Sequence, residues 1–232
     1  MPKTVGILGG MGPKSTIDLM QKIVECTPAQ KDQDHIRMLV DNRPQIPDRT
    51  RGIHGTGPSP LMMMQESVQL LEKWGAEIIA IPCNTAHHYI EDIQQVVAIP
   101  VINMIQLLSN HLHQNYSPGQ PILLLATSGS LKANLFQKYL KNFELVLPPE
   151  DIQKSYIMEA IYGERGIKAI GYNATSRQKI LDAIEALSSY TPVCIIAGCT
   201  EIGIALNGIE LKPSIIDPLD LLANDIVKRA YS

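Results

Sequence analysis

Short runs of apolar residues alternate with longer amphipathic segments along almost the whole chain. The apolar runs predict strands at residues 4–8, 36–40, 77–81, 100–103, 122–125, 143–147 and 193–197. Apolar positions at helical spacing predict helices at residues 13–24 and 58–74, up to 113, from 131, twice between 147 and 193, and at 218–230. Strands that alternate with helices are typical of parallel sheets flanked by helices, so the pattern predicts an α/β fold.

The two halves of the chain share this order of elements. Each half opens with an apolar strand that ends in small residues. Leu8 and Leu125 are 125 − 8 = 117 residues apart, and Cys83 and Cys199 are 199 − 83 = 116 residues apart. These near-equal spacings predict two similar lobes related by pseudo-twofold symmetry, each a parallel sheet flanked by helices. The active site is then expected in the cleft between the lobes, with the two cysteines facing each other.

The predicted lobes meet near residue 105. The first lobe is predicted to comprise residues 1–105 together with a C-terminal helix within 215–232, and the second to comprise residues 106–214. Residues 41–60 are rich in proline, glycine and charged residues, so they are predicted to form a long loop.

Composition narrows the class of protein. The 232 residues are 45% hydrophobic and 19% charged, with a net charge of −3, and this balance argues against a nucleic-acid partner. The start of the chain does not have the apolar core of a signal peptide, and its longest apolar runs are far below the ~20 residues of a membrane helix. We therefore expect a cytoplasmic protein that binds neither nucleic acid nor membranes.

The four cysteines fall into two groups. Disulfides are not expected in a chain of this length without an export signal. Cys26 lies in an amphipathic helix pattern and Cys194 within an apolar strand, so both are predicted to be small buried side chains. Cys83 and Cys199 each end an apolar strand and precede polar residues, which makes them candidate reactive groups.

Two opposed thiols at strand ends fit proton transfer. Ligands of α/β proteins bind at the carboxyl ends of the strands, and the first turn of a following helix favours a thiolate. One thiolate would take a proton from a carbon atom, and the opposite thiol would return one to the other face. Simple burial of both cysteines and a reversible thiol redox function remain alternatives. No metal site is predicted, because the closely spaced pairs typical of zinc sites do not occur.

Proton abstraction next to a carboxylate, without pyridoxal phosphate, requires hydrogen-bond donors aimed at the carboxylate. Candidate donors in the turns after the strands are Asn84, Thr85, Thr127, Ser128 and Thr200. Helix capping is an alternative explanation of the same residue types. The glycine-rich turn that contains Met11 does not match a dinucleotide-binding loop or a P-loop, and we expect it to line the cleft.

Four separated motifs resemble those of the aspartate/glutamate racemase family, and in particular its aspartate racemase branch. They are GILGGMGP at residues 6–13, QIPDRT at 45–50, PCNTAH at 82–87 and AGCTE at 197–201. They occur in the family's order and cover nearly the whole chain. The resemblance implies two α/β lobes, two catalytic cysteines in the cleft between them, no cofactor and a homodimer.

The resemblance also implies roles for single residues. By their positions in the motifs, Cys83 and Cys199 resemble the two acid–base thiols. The residues that resemble binders of the substrate α-carboxylate are Asn84, Thr85 and Thr200. The residues that resemble the cations that bind the distal carboxylate of the substrate are Arg49 and Lys168. The arginine guanidinium suits this contact because it can bind a carboxylate in a bidentate manner.

Two details of the motifs bear on the substrate. Relatives with threonine in place of one cysteine lose two-way turnover, so the presence of both cysteines favours reversible racemisation. The AGCTE motif ends in Glu201, where glutamate racemases have histidine, which favours aspartate over glutamate. The resemblance therefore predicts interconversion of L- and D-aspartate. A broad-specificity racemase, an enzyme of the hydantoin racemase or maleate isomerase type, and a non-catalytic protein that binds acidic amino acids remain alternatives.

Overall fold

Two separate parallel sheets form the framework of the protein in a computed structural model that describes residues 2–232. The first sheet has the order β2-β1-β3 and contains β1 (Val5–Gly9), β2 (Met38–Asn42) and β3 (Ile78–Ala80). The second has the order β5-β4-β6-β7 and contains β4 (Pro121–Ala126), β5 (Glu144–Val146), β6 (Cys194–Gly198) and β7 (Ser214–Ile216). The predicted α/β fold with two similar lobes is confirmed.

Helices connect the strands and cover the sheets. Those of the first half are α1 (Pro13–Cys26), a 3₁₀ helix (Asp32–Asp34), α2 (Arg49–His54), α3 (Leu61–Lys73), a second 3₁₀ helix (Thr85–Tyr89), α4 (Ile90–Gln94) and α5 (Met104–Asn115). Those of the second half are α6 (Ser128–Lys132), α7 (Leu135–Tyr139), α8 (Glu150–Ile152), a π-helix (Gln153–Met158), α9 (Glu159–Tyr162), α10 (Ile167–Ile170), α11 (Ala174–Ala186), a 3₁₀ helix (Ser188–Tyr190), α12 (Thr200–Leu206) and α13 (Pro218–Ala230). Within residues 2–232, no helix is long and apolar enough to cross a membrane.

The strand register places the two cysteines at equivalent positions. In the first sheet Ala80 of β3 pairs with the central strand β1, and in the second Ile196 of β6 pairs with β4. These two residues are 196 − 80 = 116 positions apart, the same spacing as Cys83 and Cys199. Each cysteine therefore lies three residues beyond an equivalent register position (83 − 80 = 3 and 199 − 196 = 3), although β6 continues to Gly198 whereas β3 ends at Ala80. Parallel strands present their carboxyl ends at the same edge of a sheet.

The C-terminal helix α13 is part of the core around the first sheet. Its residues Leu219, Leu222 and Ile226 are fully buried in a cluster that includes Val5 of β1 and Leu19 of α1. Burial of this apolar face is the main force that fixes the helix. The helix thus packs on the core of the first sheet, and the division of the chain into lobes at residue 105 stays a prediction.

Residues 41–60 are not a single long loop. Residues Arg49–His54 form α2, and the carboxylate of Asp48 caps this helix by accepting a hydrogen bond from the Arg51 N–H. A strong N-cap of this kind is worth about 1 kcal/mol, which helps a helix to form in a segment rich in proline and glycine.

Two further local predictions are wrong. Cys26 is exposed rather than buried, because it ends α1 one turn beyond Ile23, the last buried residue of that helix. The strand predicted at residues 100–103 is reduced to a single parallel bridge between Val101 and Ile79. Cys194, in contrast, is fully buried within β6, as predicted.

We expect Leu222→Ala to lower the free energy of unfolding by about 2–5 kcal/mol, because it leaves a cavity in the core beneath α13. The matched control is Ile17→Ala on α1, a side chain that is 64% exposed, for which we expect a change within about 0.5 kcal/mol. Urea denaturation followed by circular dichroism measures both values. Equal effects of the two substitutions would contradict the buried position of α13.

Candidate active site

The turns after β3 and β6 meet at one small cavity between the two lobes. The cavity is lined by Met11, Arg49, Cys83, Asn84, Thr85, Thr127, Tyr162, Lys168, Cys199, Thr200 and Glu201. The structure therefore brings together all the site residues predicted from the sequence except Ser128.

Ser128 lies outside the cavity because of its position at the start of α6. Thr127 is the N-cap of that helix and accepts a hydrogen bond from the Ser130 N–H, while its own side chain lines the cavity. The side chain of Ser128 does not line the cavity, and its hydroxyl accepts a hydrogen bond from Gln153 Nε2 at 3.2 Å. Ser128 is accordingly not placed to contact a ligand in the cavity.

Two lining residues were not predicted. Glu201 directly follows Thr200 in the AGCTE motif, and its position there was a signal that a charged side chain belongs to the site. It is only 3% exposed. Tyr162 ends α9 in a part of the chain without any motif, so only the tertiary structure reveals it.

His87 anchors the turn that carries Cys83. Its Nδ1 lies 2.9 Å from the Cys83 carbonyl oxygen, and its Nε2 accepts a hydrogen bond from the Met104 N–H at 3.1 Å. Because Nε2 is an acceptor, the proton of the neutral ring lies on Nδ1, which donates to the Cys83 carbonyl. Burial lowers the pKa of His87 and so favours this neutral form. The imidazole thus links the Cys83 turn to the start of α5.

Cys199 occupies the N-cap position of α12. Its thiol donates a hydrogen bond to Glu201 Oε2 at 2.9 Å. Burial raises the pKa of Cys199 well above its usual range, and the neighbouring Glu201 carboxylate adds to this effect. The surroundings therefore favour the protonated thiol.

Glu201 is held in a dense network of donors. Lys168 Nζ lies 2.5 Å from Oε1, and the Thr200 hydroxyl donates to Oε2 at 3.2 Å. The Ser15 hydroxyl of α1 in turn donates to Thr200 Oγ1 at 2.7 Å. Burial alone raises the pKa of a carboxyl group, but Lys168 and the donated hydrogen bonds outweigh it, so the pKa of Glu201 lies below its usual value. Glu201 is therefore a buried carboxylate.

Arg49 is a second buried cation, only 7% exposed. Its guanidinium donates to the carbonyl oxygens of Ile46 at 3.3 Å, Pro47 at 3.0 Å and Met11 at 3.2 Å. Its Nε has no hydrogen-bond partner in the part of the chain that the structure describes. Burial alone lowers the pKa of such a group, but attraction to Cys83 and other nearby groups outweighs it and the pKa is raised. Arg49 is thus a fixed positive charge on the cavity wall.

Hydroxyl and amide groups cover another part of the wall. The hydroxyl oxygens of Thr85, Thr127 and Ser130 lie 2.9–3.2 Å from one another. Asn84 is only 2% exposed, yet neither its amide nitrogen nor its amide oxygen has a hydrogen-bond partner within residues 2–232. Buried polar groups without partners are rare because they are costly. The Asn84 amide therefore points to a polar ligand.

Segments from the two lobes meet beside the cavity. Gly129 of α6 packs so closely on Thr50 of α2 that a Cβ atom at position 129 would lie 2.6 Å from Thr50 Oγ1 and 2.7 Å from Thr50 Cα. The Tyr162 hydroxyl donates to Asp48 Oδ2 at 3.1 Å. These contacts hold α2, which carries Arg49, against the second lobe.

The fold and the site define a two-lobed α/β protein in which two free cysteine thiols line a polar, charged cleft. The model of the Asp/Glu/Hydantoin racemase family matches residues 8–226, and the chain belongs to that family. It is accordingly an isomerase of the racemase class.

Individual relatives agree with this assignment. The broad specificity amino-acid racemase RacX of Bacillus subtilis (strain 168) is 27% identical over 227 residues, which cover 96% of each chain. The structure of Picrophilus torridus aspartate racemase superposes with a TM-score of 0.81 at 28% identity, over 99% of this chain and 94% of that one. An aspartate racemase homologue from Pyrococcus horikoshii OT3 shares the fold, with a TM-score of 0.73 at 22% identity over 99% of this chain and 100% of that one.

We expect Gly129→Ala to lower the free energy of unfolding by about 1–3 kcal/mol, because the added methyl group overlaps Thr50 and forces α2 away from α6. Ser128→Ala in the same helix is the matched control. Gln153 Nε2 keeps its hydrogen bond to the Ala126 carbonyl in that variant, so we expect a change within about 0.5 kcal/mol. Urea denaturation of both variants tests the contact. A wild-type value for Gly129→Ala would show that the two helices do not pack this closely.

Proposed function

We propose that this protein interconverts the L- and D-enantiomers of an acidic amino acid, aspartate before glutamate, by two-base proton transfer with Cys83 and Cys199. One observation carries the proposal. Two cysteines at equivalent strand ends line a single cavity, together with a buried asparagine whose amide has no partner. Buried polar groups without partners are uncommon, and this amide lines the cavity, which supports a role in binding a polar ligand.

The reaction needs one proton acceptor and one proton donor on opposite faces of Cα. One thiolate takes the Cα proton, and the opposite thiol delivers its own proton to the other face. The two sulfur atoms thereby exchange protonation states, and the reverse reaction uses them in the opposite roles. No proton is gained or lost overall.

The carbanion formed at Cα is stabilised through the substrate α-carboxylate. Donors preorganised towards developing negative charge are the most effective form of such stabilisation. Asn84 offers an unpartnered amide, and Thr85 and Thr127 offer hydroxyl groups on the same wall. We assign the α-carboxylate to these residues and to Thr200, which lines the cavity beside Cys199.

Arg49 is the better candidate of the two cations for the distal carboxylate. Its Nε is buried without a partner, whereas the charge of Lys168 is already paired with Glu201 at 2.5 Å. Arginine can hold a carboxylate with two parallel hydrogen bonds. Lys168 would assist only by sharing its charge between Glu201 and the substrate.

A broad-specificity racemase is the second candidate function. The pairing of Lys168 with Glu201 reduces the positive charge available to an acidic side chain, and the Bacillus subtilis relative carries broad specificity in its name. Initial rates of racemisation with aspartate, glutamate, alanine and serine separate the two candidates. Comparable rates with neutral amino acids would favour the broad-specificity function.

We expect Cys83→Ala and Cys199→Ala each to abolish racemisation, because either change removes one of the two proton carriers. The measurement is deuterium incorporation at Cα of L-aspartate in D₂O by NMR, under reducing conditions without added cofactor, with a chiral assay of the D-form. Cys26→Ala, at an exposed position, is the matched control and is expected to react at the wild-type rate. Full activity of either active-site variant would refute the two-base mechanism. Binding of aspartate without any exchange by the wild type would favour a non-catalytic binding protein.

We expect Arg49→Ala to reduce kcat/KM for aspartate by roughly 10- to 100-fold more than for alanine or serine, because a hydrogen bond to a charged group contributes about 1.5–3 kcal/mol. Arg49→Lys keeps the charge but loses the paired donors, so it is expected to retain part of the preference for aspartate. Steady-state kinetics with both substrate types measure the difference. An equal loss for all substrates would exclude Arg49 from the distal-carboxylate site.

A further inference from the structure

Cys83 and Cys199 occupy equivalent places in the two lobes, but their neighbours differ in charge. Cys199 contacts the carboxylate of Glu201. Cys83 faces the guanidinium of Arg49, and no carboxylate within residues 2–232 hydrogen bonds to its sulfur. We infer that Glu201 keeps Cys199 protonated in the substrate-free enzyme, so that Cys83 rather than Cys199 takes the first proton from Cα. The inference rests on the proposed function and names the resting state of the same site.

The contact between Cys199 and Glu201 needs one proton between the two groups. Lys168 and the donated hydrogen bonds keep Glu201 as a carboxylate, so the proton lies on the sulfur. A thiol donates to Glu201 Oε2 across the observed 2.9 Å. A thiolate would instead place two anions in contact, with no proton between them. Because Lys168 already contacts the other carboxylate oxygen at 2.5 Å, Glu201 cannot easily turn its charge away from the sulfur.

Neighbouring hydrogen bonds fix Glu201 in this orientation. The Thr200 hydroxyl donates to the same oxygen as the thiol, at 3.2 Å, and the Ser15 hydroxyl donates to Thr200. The carboxylate is therefore oriented from α1, α10 and α12 together. Glu201 acts on the reaction through the sulfur of Cys199, and we regard it as a positioning residue.

The other charged and phenolic side chains that line the cavity beside the two thiols are two cations and a tyrosine. Outside the cavity, the Asp48 carboxylate accepts from the Tyr162 hydroxyl, and neutral His87 contacts the Cys83 carbonyl. Arg49 approaches from α2, Tyr162 from α9 and Lys168 from α10. The Lys168 ammonium lies 5.5 Å from the centre of the Tyr162 ring. Burial raises the pKa of Tyr162, so the phenol adds no negative charge. Glu201 is thus the one carboxylate among the residues that line the cavity.

This arrangement makes the two protonation states of the enzyme unequal. From rest, the Cα proton moves to Cys83, and the Cys199 proton moves to the opposite face of the substrate. The enzyme then carries a Cys83 thiol and a Cys199 thiolate beside Glu201, with Lys168 as the compensating cation. This second state is higher in free energy. It returns to rest by the reverse reaction or by exchange of protons with water.

The test uses the pH dependence of alkylation of each cysteine in the free enzyme. Iodoacetamide reacts with the thiolate, and mass spectrometry resolves the rate at Cys199 from that at the exposed Cys26. The midpoint is the pH at which Cys199 reacts at half of its maximal rate. Glu201→Gln removes the negative charge and leaves Lys168 unpaired, so we expect the Cys199 midpoint to fall by at least about one pH unit. Lys168→Met removes the positive charge and leaves Glu201, so we expect the midpoint to rise.

The opposite directions of these shifts distinguish an effect of the Glu201 charge from structural damage to the site. A general loosening of the site would move the midpoint the same way in both variants. An unchanged or raised midpoint in Glu201→Gln, or shifts of the same sign in both variants, would overturn the inference. Glu201→Asp keeps the charge, so it is expected to give a midpoint nearer to the wild type than Glu201→Gln does.

Circular dichroism confirms that each variant is folded before titration. If Glu201→Gln does not fold, Lys168→Met and the charge-conserving Lys168→Arg decide the question. A Cys199 midpoint that rises in Lys168→Met but not in Lys168→Arg supports the inference, and any other result overturns it. The readout needs no turnover, so it is independent of the deuterium exchange that tests racemisation.

Discussion

Parallel pairing of β3 with β1 and of β6 with β4 is the constraint on which the site depends. In both sheets the cysteine follows the end of a buried strand that lies beside the central strand. The carboxyl ends of parallel strands form one edge, where turns are free to carry polar residues. Because both sheets obey this rule, two distant parts of the chain deliver a thiol to the same cleft.

The cleft concentrates charge that would be costly if unpaired. Buried ions are tolerated when they have both partners and hydrogen bonds, and Lys168, Glu201, Thr200 and Ser15 satisfy one another across three helices. Arg49 is held by three carbonyl oxygens. Among the residues that line the cavity, the amide of Asn84 and the Nε of Arg49 have no hydrogen-bond partner within residues 2–232 and are left for a ligand. Charge also distinguishes the otherwise equivalent thiols, since among residues 2–232 a carboxylate hydrogen bonds to the sulfur of Cys199 and none to that of Cys83.

The sequence predicted most of the framework because its strands are buried runs and its helices are amphipathic. It failed where local composition and tertiary context disagree. Proline and glycine in residues 41–60 suggested a loop, yet the Asp48 cap starts α2 there. Helical periodicity suggested a buried Cys26, but the core ends one turn earlier. Ser128 has the residue type and position of a ligand-binding residue, and only the direction of its side chain places it outside the cavity.

The sequence by itself determined the alternation of strands and helices and the four motifs of the racemase family. It also determined that the spacing of Cys83 and Cys199 nearly equals the spacing of Leu8 and Leu125. These features are local or periodic, so they can be recognised along the chain. The tertiary structure alone decided that Tyr162 joins the site and that Glu201 stands between Cys199 and Lys168. The Lys168 and Glu201 side chains are 201 − 168 = 33 residues apart in sequence. Their contact depends on how α10 packs against α12, because packing through space is not encoded in any short pattern.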